Sequence, residues 1–218
     1  MHKDSKALEA LEKDIQANLF VESRNYRKGQ CLFRQGEPCH RITYVRRGLT
    51  TFSILLSGGK ESIVFLPGHG DFLGDECLSD HLTYRGTSTA ITDCSVFHIE
   101  GRNFARALLT RPSIQKYFIN CLISSRNQID ESIADLNLNL TEKRLARLLL
   151  RLTDQSTTDI LDSGVPPIRQ EILAEIVGTS RSRVNILISK FRNLGAIHRD
   201  KLLRVDRTRL EKILRAAP

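Results

Sequence analysis

The chain has 218 residues, 40% of them apolar and 27% charged, and a formal net charge of +8 at pH 7. That length suits two domains, each burying its own core, and the composition is ordinary for a soluble globular protein. No apolar run approaches the roughly eighteen residues that span a bilayer, so a membrane protein is not expected.

The opening MHKDSKALEALEKD lacks the apolar stretch of a secretory signal. It reads as an amphipathic helix in a cytoplasmic protein. Residues 30–98 then read as short strands. QCLFRQ, RITYVRR, LTTFSILL, ESIVFL and STAITDCSVFHI are rich in Ile, Val, Leu, Thr and Phe. Turn signals at Gln35–Pro38, Arg47-Gly48, Ser57–Lys60 and Pro67–Asp71 separate them. Such spacing predicts a small barrel or sandwich.

Five cysteines (Cys31, Cys39, Cys77, Cys94, Cys121) lie scattered, with no C-x-x-C pair, and six histidines are equally dispersed. Reduced, mostly buried thiols and no metal site are the expectation. There is no nucleophile–base constellation and no phosphate-cradling glycine loop, so no catalytic residue is assigned and an enzyme finds no support.

After Ile99 the pattern turns helical. Residues 102–109 predict a short helix that stops before Pro112. From Ser113 to about Leu136 the helical pattern is long. Phe118, Leu122, Ser125, Ile129, Ser132 and Leu136 follow a 4-3-4-3-4 spacing, the seam of a two-stranded coiled coil. Ile119, Ile123 and Ile133 form a second apolar face, so one face can pack on the barrel while the other meets a partner helix. A further helix opens at Thr141-Glu142, the stretch 153–165 is polar and turn-rich, and helices over 168–194 and 207–215 flank a hairpin.

The charge excess is local. Residues 169–215 hold twelve Lys or Arg against five Asp or Glu, while residues 1–168 are nearly balanced. A basic block this confined is the footprint of a polyanion site. Within it, Ala174 is small where two helices cross and Gly178 suits a turn. Val184 is apolar where the second helix wedges onto the first, and Ile172, Leu173, Ile176, Ile186 and Leu187 are expected to complete the small core. This is the helix-turn-helix arrangement. The second helix would start near Thr179 or Ser180 as its cap. Arg181, Ser182, Arg183 and Asn185 would then enter the major groove, with Lys190 further along. Arg169 and Gln170 open the first helix, where phosphates are commonly met. The hairpin Ala196–Val205, with His198, Arg199, Lys201 and Arg204, would form a basic wing.

With both halves read, the chain resembles the CRP/FNR family of bacterial regulators over nearly its whole length. The sensor half carries Gln35-Gly36-Glu37, Arg47-Gly48, Gly59-Lys60-Glu61 and Gly70-Asp71-Phe72-Leu73-Gly74-Asp75. The other half carries IRQEILAEIVGTSRSRVNILISKFRNLGAI. The resemblance implies an α+β chain: a jelly-roll-like β-roll sensor over 1–110, a dimerisation helix over 111–138, and a winged helix-turn-helix over 139–218. It implies a homodimer on double-stranded DNA, with RNA polymerase as a partner if the protein activates. The rival expectation is a nucleotide-sensing module that acts through protein contacts.

By the same resemblance, an effector pocket would be lined by Leu73, Gly74, Asp75, Glu76, Arg85, Gly86, Thr87 and Gln128. Cyclic-AMP binders carry Phe-Gly-Glu, then ten residues on an Arg for the phosphate, followed by Ser. Here Leu73-Gly74-Asp75 is followed by Arg85-Gly86. Asp is a methylene short and Gly supplies no hydroxyl. Counted back from Thr92-Asp93, Arg85 is also one residue out of register. These departures argue against cyclic AMP. A haem through Cys77 or His81, another small-molecule effector, or no ligand stay open, and no cofactor is assigned. In the reading helix the family's Arg-Glu-x-x-x-Arg becomes Arg181, Ser182 and Ile186.

Overall fold

The computed structural model describes residues 5–80, 83–137, 140–154, 164–165, 168–199 and 203–215. The chain divides into two compact units, Met1–Ser125 and Arg126–Pro218.

In the first unit, helix α1 (Ser5–Asn18) buries Leu8, Leu11 and Ile15 on one face, at helical spacing. Eight strands follow: β1 (Val21–Tyr26), β2 (Cys31–Phe33), β3 (Arg41–Arg47), β4 (Thr50–Leu55), β5 (Glu61–Phe65), β6 (Phe72–Leu73), β7 (Thr87–Ala90) and β8 (Cys94–Glu100). They form two antiparallel four-stranded sheets, ordered β1-β8-β3-β6 and β2-β7-β4-β5. The run 88–99, expected as one strand, is two. At the break, the amides of Ile91 and Thr92 both donate to the carbonyl of Leu49, at 2.9 and 3.3 Å. That turn carries the chain from one sheet to the other. Strand β1 was not predicted, because Glu22–Asn25 are all exposed and show no apolar alternation. It exists through its six-residue pairing with β8.

Helix α2 (Gly101–Thr110) and the first half of α3 (Pro112–Asn137) complete the sensor side. An aromatic core closes between sheet and helices, with Phe72, Phe104 and Phe118 packed at centroid distances of 5.1 to 5.4 Å. This corrects the expected pairing seam. Phe118 is only 4% exposed inside its own unit, so its ring has no area left to give to a partner helix.

The second unit holds α4 (Thr141–Asp154), β9 (Gly164–Val165), α5 (Gln170–Val177), α6 (Arg181–Asn193), β10 (Ile197–Arg199), β11 (Leu203–Val205) and α7 (Arg207–Arg215). A small antiparallel sheet runs β10-β11-β9. Helix α4 packs on α5, α6 and α7, burying Leu145, Ala146, Leu149 and Leu152. No helix among the described residues is long and apolar enough to cross a membrane.

Candidate nucleic-acid interface and sensor site

Helices α5 and α6 are set by local chemistry at the turn between them. Gly178 ends α5 in the left-handed region, with φ 67° and ψ 47°, a conformation that costs a β-carbon residue about 1 kcal/mol or more. The Gly178 amide donates to Glu175 at 3.1 Å and the Thr179 amide to Ala174 at 2.9 Å, so two terminal carbonyls of α5 are satisfied. Ser180 then caps α6, its hydroxyl accepting from the Arg183 amide at 3.2 Å. Leu173, Ala174 and Val177 are buried on α5, and Val184, Leu187, Ile188 and Phe191 on α6. Each helix therefore has one inward face, and the small Ala174 is buried on that of α5.

The four buried positions of α6 define its outward direction. At about 100° per residue, Ser182, Ile186, Ser189 and Asn193 fall within about 30° of it, while Arg181 and Arg183 lie about 90–110° away on opposite flanks. Arg181, Ser182, Arg183 and Asn185 are exposed. Ile186 is exposed too, at 58%. The sequence reading placed Ile186 in the core, and that is overturned. The buried set 184, 187, 188, 191 is the true i, i+3, i+4, i+7 stripe, and 186 lies opposite it.

Arg181 lies 2.9 Å from Glu171 of α5, and Lys190 lies 2.7 Å from Glu142 of α4. Arg169 is exposed at the N-cap of α5, whereas Gln170 and Thr179 are half-buried. Strands β10 and β11 pair His198 with Arg204, both exposed. The side chain of Arg199 and all of Lys201 lie outside the described residues.

The expected effector residues are partly scattered. Leu73 is buried in a cluster with Phe33, Cys39, Val45 and Tyr84, and Asp75 and Arg85 are exposed. Gly74 adopts φ 81° and opens a short 3-10 turn over Asp75–Leu78. Glu76, not Asp75, is the acid that meets the Arg85-Gly86 segment, its carboxylate accepting from the Arg85 amide at 3.3 Å. Burial pushes the Glu76 carboxyl above the usual carboxylate range.

At Gly86 an added β-carbon would sit 2.5 Å from the Phe52 ring and 2.6 Å from the Ser53 carbonyl. Tyr84 stacks on Phe33 at 4.0 Å between centroids. The Thr87 hydroxyl accepts from the Gln35 amide at 3.1 Å. The side chain of Gln128 and all of His81 lie outside the described residues. The Cys77 thiol is half-buried, and burial, with Cys39 beside it, pushes it up to about 12.

On α3, Leu122 is 43% and Ile129 50% exposed, and Ile119, Ile123 and Ile133 are between 46% and 53% exposed. Ser125 is exposed, and the side chains of Ser132 and Leu136 lie outside the described residues.

Paired antiparallel sheets in one unit and a winged helix-turn-helix in the other define a class of DNA-binding transcription regulator. Residues 23–111 match the cyclic nucleotide-binding domain and residues 143–213 the Crp-like helix-turn-helix domain. The chain belongs to the CRP/FNR family of transcription regulators. It is 25% identical over 195 residues to a CRP-like cAMP-activated global transcriptional regulator of Mycobacterium tuberculosis, covering 88% of this chain and 84% of that one. It is 27% identical over 176 residues to the cAMP-activated global transcriptional regulator CRP of Escherichia coli O157:H7, covering 79% and 83%. Its fold is similar to that of FixK2 from Bradyrhizobium japonicum, with a TM-score of 0.75 at 20% identity over 92% of this chain and 100% of that one.

Proposed function

We propose that the chain is a homodimeric, sequence-specific regulator that binds a two-fold symmetric operator. In this reading residues 1–110 sense, 111–138 pair, and 139–218 hold DNA. The observation that carries it is the capped, basic α6, whose exposed Arg181, Ser182, Arg183 and Asn185 leave the turn as a helix that fits the major groove. Arg169, Gln170, Thr179, Ser180, Lys190, Arg199 and Lys201 are the accompanying contacts, mostly to phosphate. Pairing through the exposed aliphatic residues of α3 would bring two such helices to the two half-sites.

A small-molecule effector acting through the β-roll is part of the proposal, and Asp75 and Gly86, where cyclic-AMP binders carry Glu and Ser, speak against cyclic AMP. A cytoplasmic location follows from the role, as does contact with RNA polymerase at activated promoters. The test is binding-site selection from random duplexes, followed by native mass spectrometry of the complex. A palindromic consensus with two subunits per duplex is expected. No enriched sequence, or one subunit per site, would count against it.

A further inference from the structure

Resting on the DNA-binding reading above, we infer that Ile186 reads a thymine methyl group, so that each half-site carries a thymine beneath the middle of α6. Ile186 is the sixth residue of α6 and points within about 30° of the helix's outward direction. It is 58% exposed and edges an open groove of about 540 Å³ lined also by Asn185, Ser189, Lys190, Asn193 and Leu194. The line it shares with Ser182 and Ser189 is uncharged, because Arg181 and Arg183 lie on the flanks.

A helix docked by this line brings Ile186 against the floor of the major groove. That floor is mostly hydrogen-bonding atoms, and the C5-methyl of thymine is the one methyl group it presents. Against guanine or cytosine, Ile186 would strip water from polar edges without replacing their hydrogen bonds, which is unfavourable. Against thymine it buries methyl on methyl. Asn185, next in the chain and exposed, is suited to the N6 and N7 of an adenine, so the two residues favour an A·T step together.

The experiment uses the full chain and its own selected operator, with each thymine replaced in turn by deoxyuridine. That change removes one methyl group and keeps every hydrogen-bonding atom. At one thymine per half-site, affinity is expected to fall about four-fold, the value of one buried methyl. Ile186→Ala should bind the natural operator less tightly and become indifferent to uridine at that position, while Ile186→Val keeps part of the discrimination. An exposed site tolerates these substitutions, and unchanged thermal melting would confirm it. A uridine penalty that is absent at every thymine, or equal in wild type and Ile186→Ala, overturns the inference while operator binding stands. A wild-type chain that selects no duplex overturns both.

Discussion

The guanidinium of Arg181 sits 2.9 Å from the carboxylate of Glu171, tying the first residue of α6 to the second residue of α5. Both side chains are more than half exposed, so the pair adds little to stability, about 0–1 kcal/mol. In the proposed DNA-binding role its effect would fall on recognition, because the carboxylate holds the guanidinium along the flank facing α5.

Arg181 keeps the Arg of the family's reading helix, and if it reads a base from its flank, Arg181→Ala should cost about 1–3 kcal/mol and relax preference at one base pair of each half-site. Arg183, on the opposite flank, is expected to meet phosphate, and Arg183→Ala should lower the salt slope by about one ion per subunit. Glu171→Gln should tighten binding by about 0.5–1 kcal/mol by freeing Arg181. Site selection and salt titration on the three variants check this. A changed consensus for Arg183→Ala with only a lower slope for Arg181→Ala would reverse the roles.

Two residues of α3 separate assembly from folding. Ile129 is 50% exposed, whereas Phe118 is 4% exposed among Phe72 and Phe104. Ile129→Glu should leave thermal melting of the fold intact, yet yield monomers in sedimentation and abolish operator binding, because a paired seam cannot bury an unpaired charge. Phe118→Ala should instead destabilise the first unit by about 3–5 kcal/mol, the usual cost of a deleted buried ring. A dimeric Ile129→Glu protein would place the interface elsewhere.

Restoring the hydroxyl that nucleotide binders carry should not restore a site. The Ser53 carbonyl, 2.6 Å from where a β-carbon would stand at Gly86, is backbone and cannot step aside. Gly86→Ser should therefore cost about 1–3 kcal/mol of stability through overpacking. Calorimetry should show no saturable cyclic AMP binding at micromolar concentrations in either protein. A micromolar dissociation constant that Arg85→Ala removes would show that the β-roll opens to a nucleotide.

His98 should make the first unit acid-sensitive. It is buried between the Tyr26 hydroxyl, 2.8 Å from Nε2, and the Thr43 hydroxyl, 3.0 Å from Nδ1. Burial, helped by Arg41, lowers its pKa to about 4 from the ordinary 6.5. The unfolded chain therefore binds the proton more readily than the folded one. The stability linked to this group is complete above pH 6.5 and is lost as the pH falls from 6.5 through 4, about 3 kcal/mol in all. Urea unfolding followed by circular dichroism across that window should show the loss, and His98→Gln should flatten it. Equal slopes in the two proteins would mean another group carries the acid sensitivity.

The helix-turn-helix was legible in the sequence because its determinants are local. Gly178 permits the left-handed turn, Ser180 caps the next helix three residues before the amide it binds, and Ala174 is small where the helices cross. The first two act within one turn of their own backbone, and the third faces a helix only a few residues away in sequence. The paired α3 faces were different. Phe118 and Ile119 are neighbours about 100° apart on one helix, and both suit a core. Only the ring pocket made by Phe72 and Phe104, far away in sequence, decided that Phe118 turns inward and that Ile119 stays exposed. Strand β1 likewise carries no apolar signal of its own and exists because β8 offers it an edge. Ile186 looked like core by composition and was placed outside by the stripe that Val184, Leu187, Ile188 and Phe191 bury. At Gly86 the residue itself is silent, and the Phe52 ring and Ser53 carbonyl of β4 settle what fits. Turn and cap energies depend on residues a few positions apart, which a sequence displays. Which apolar face is buried depends on excluded volume between distant segments, which only the folded chain brings together.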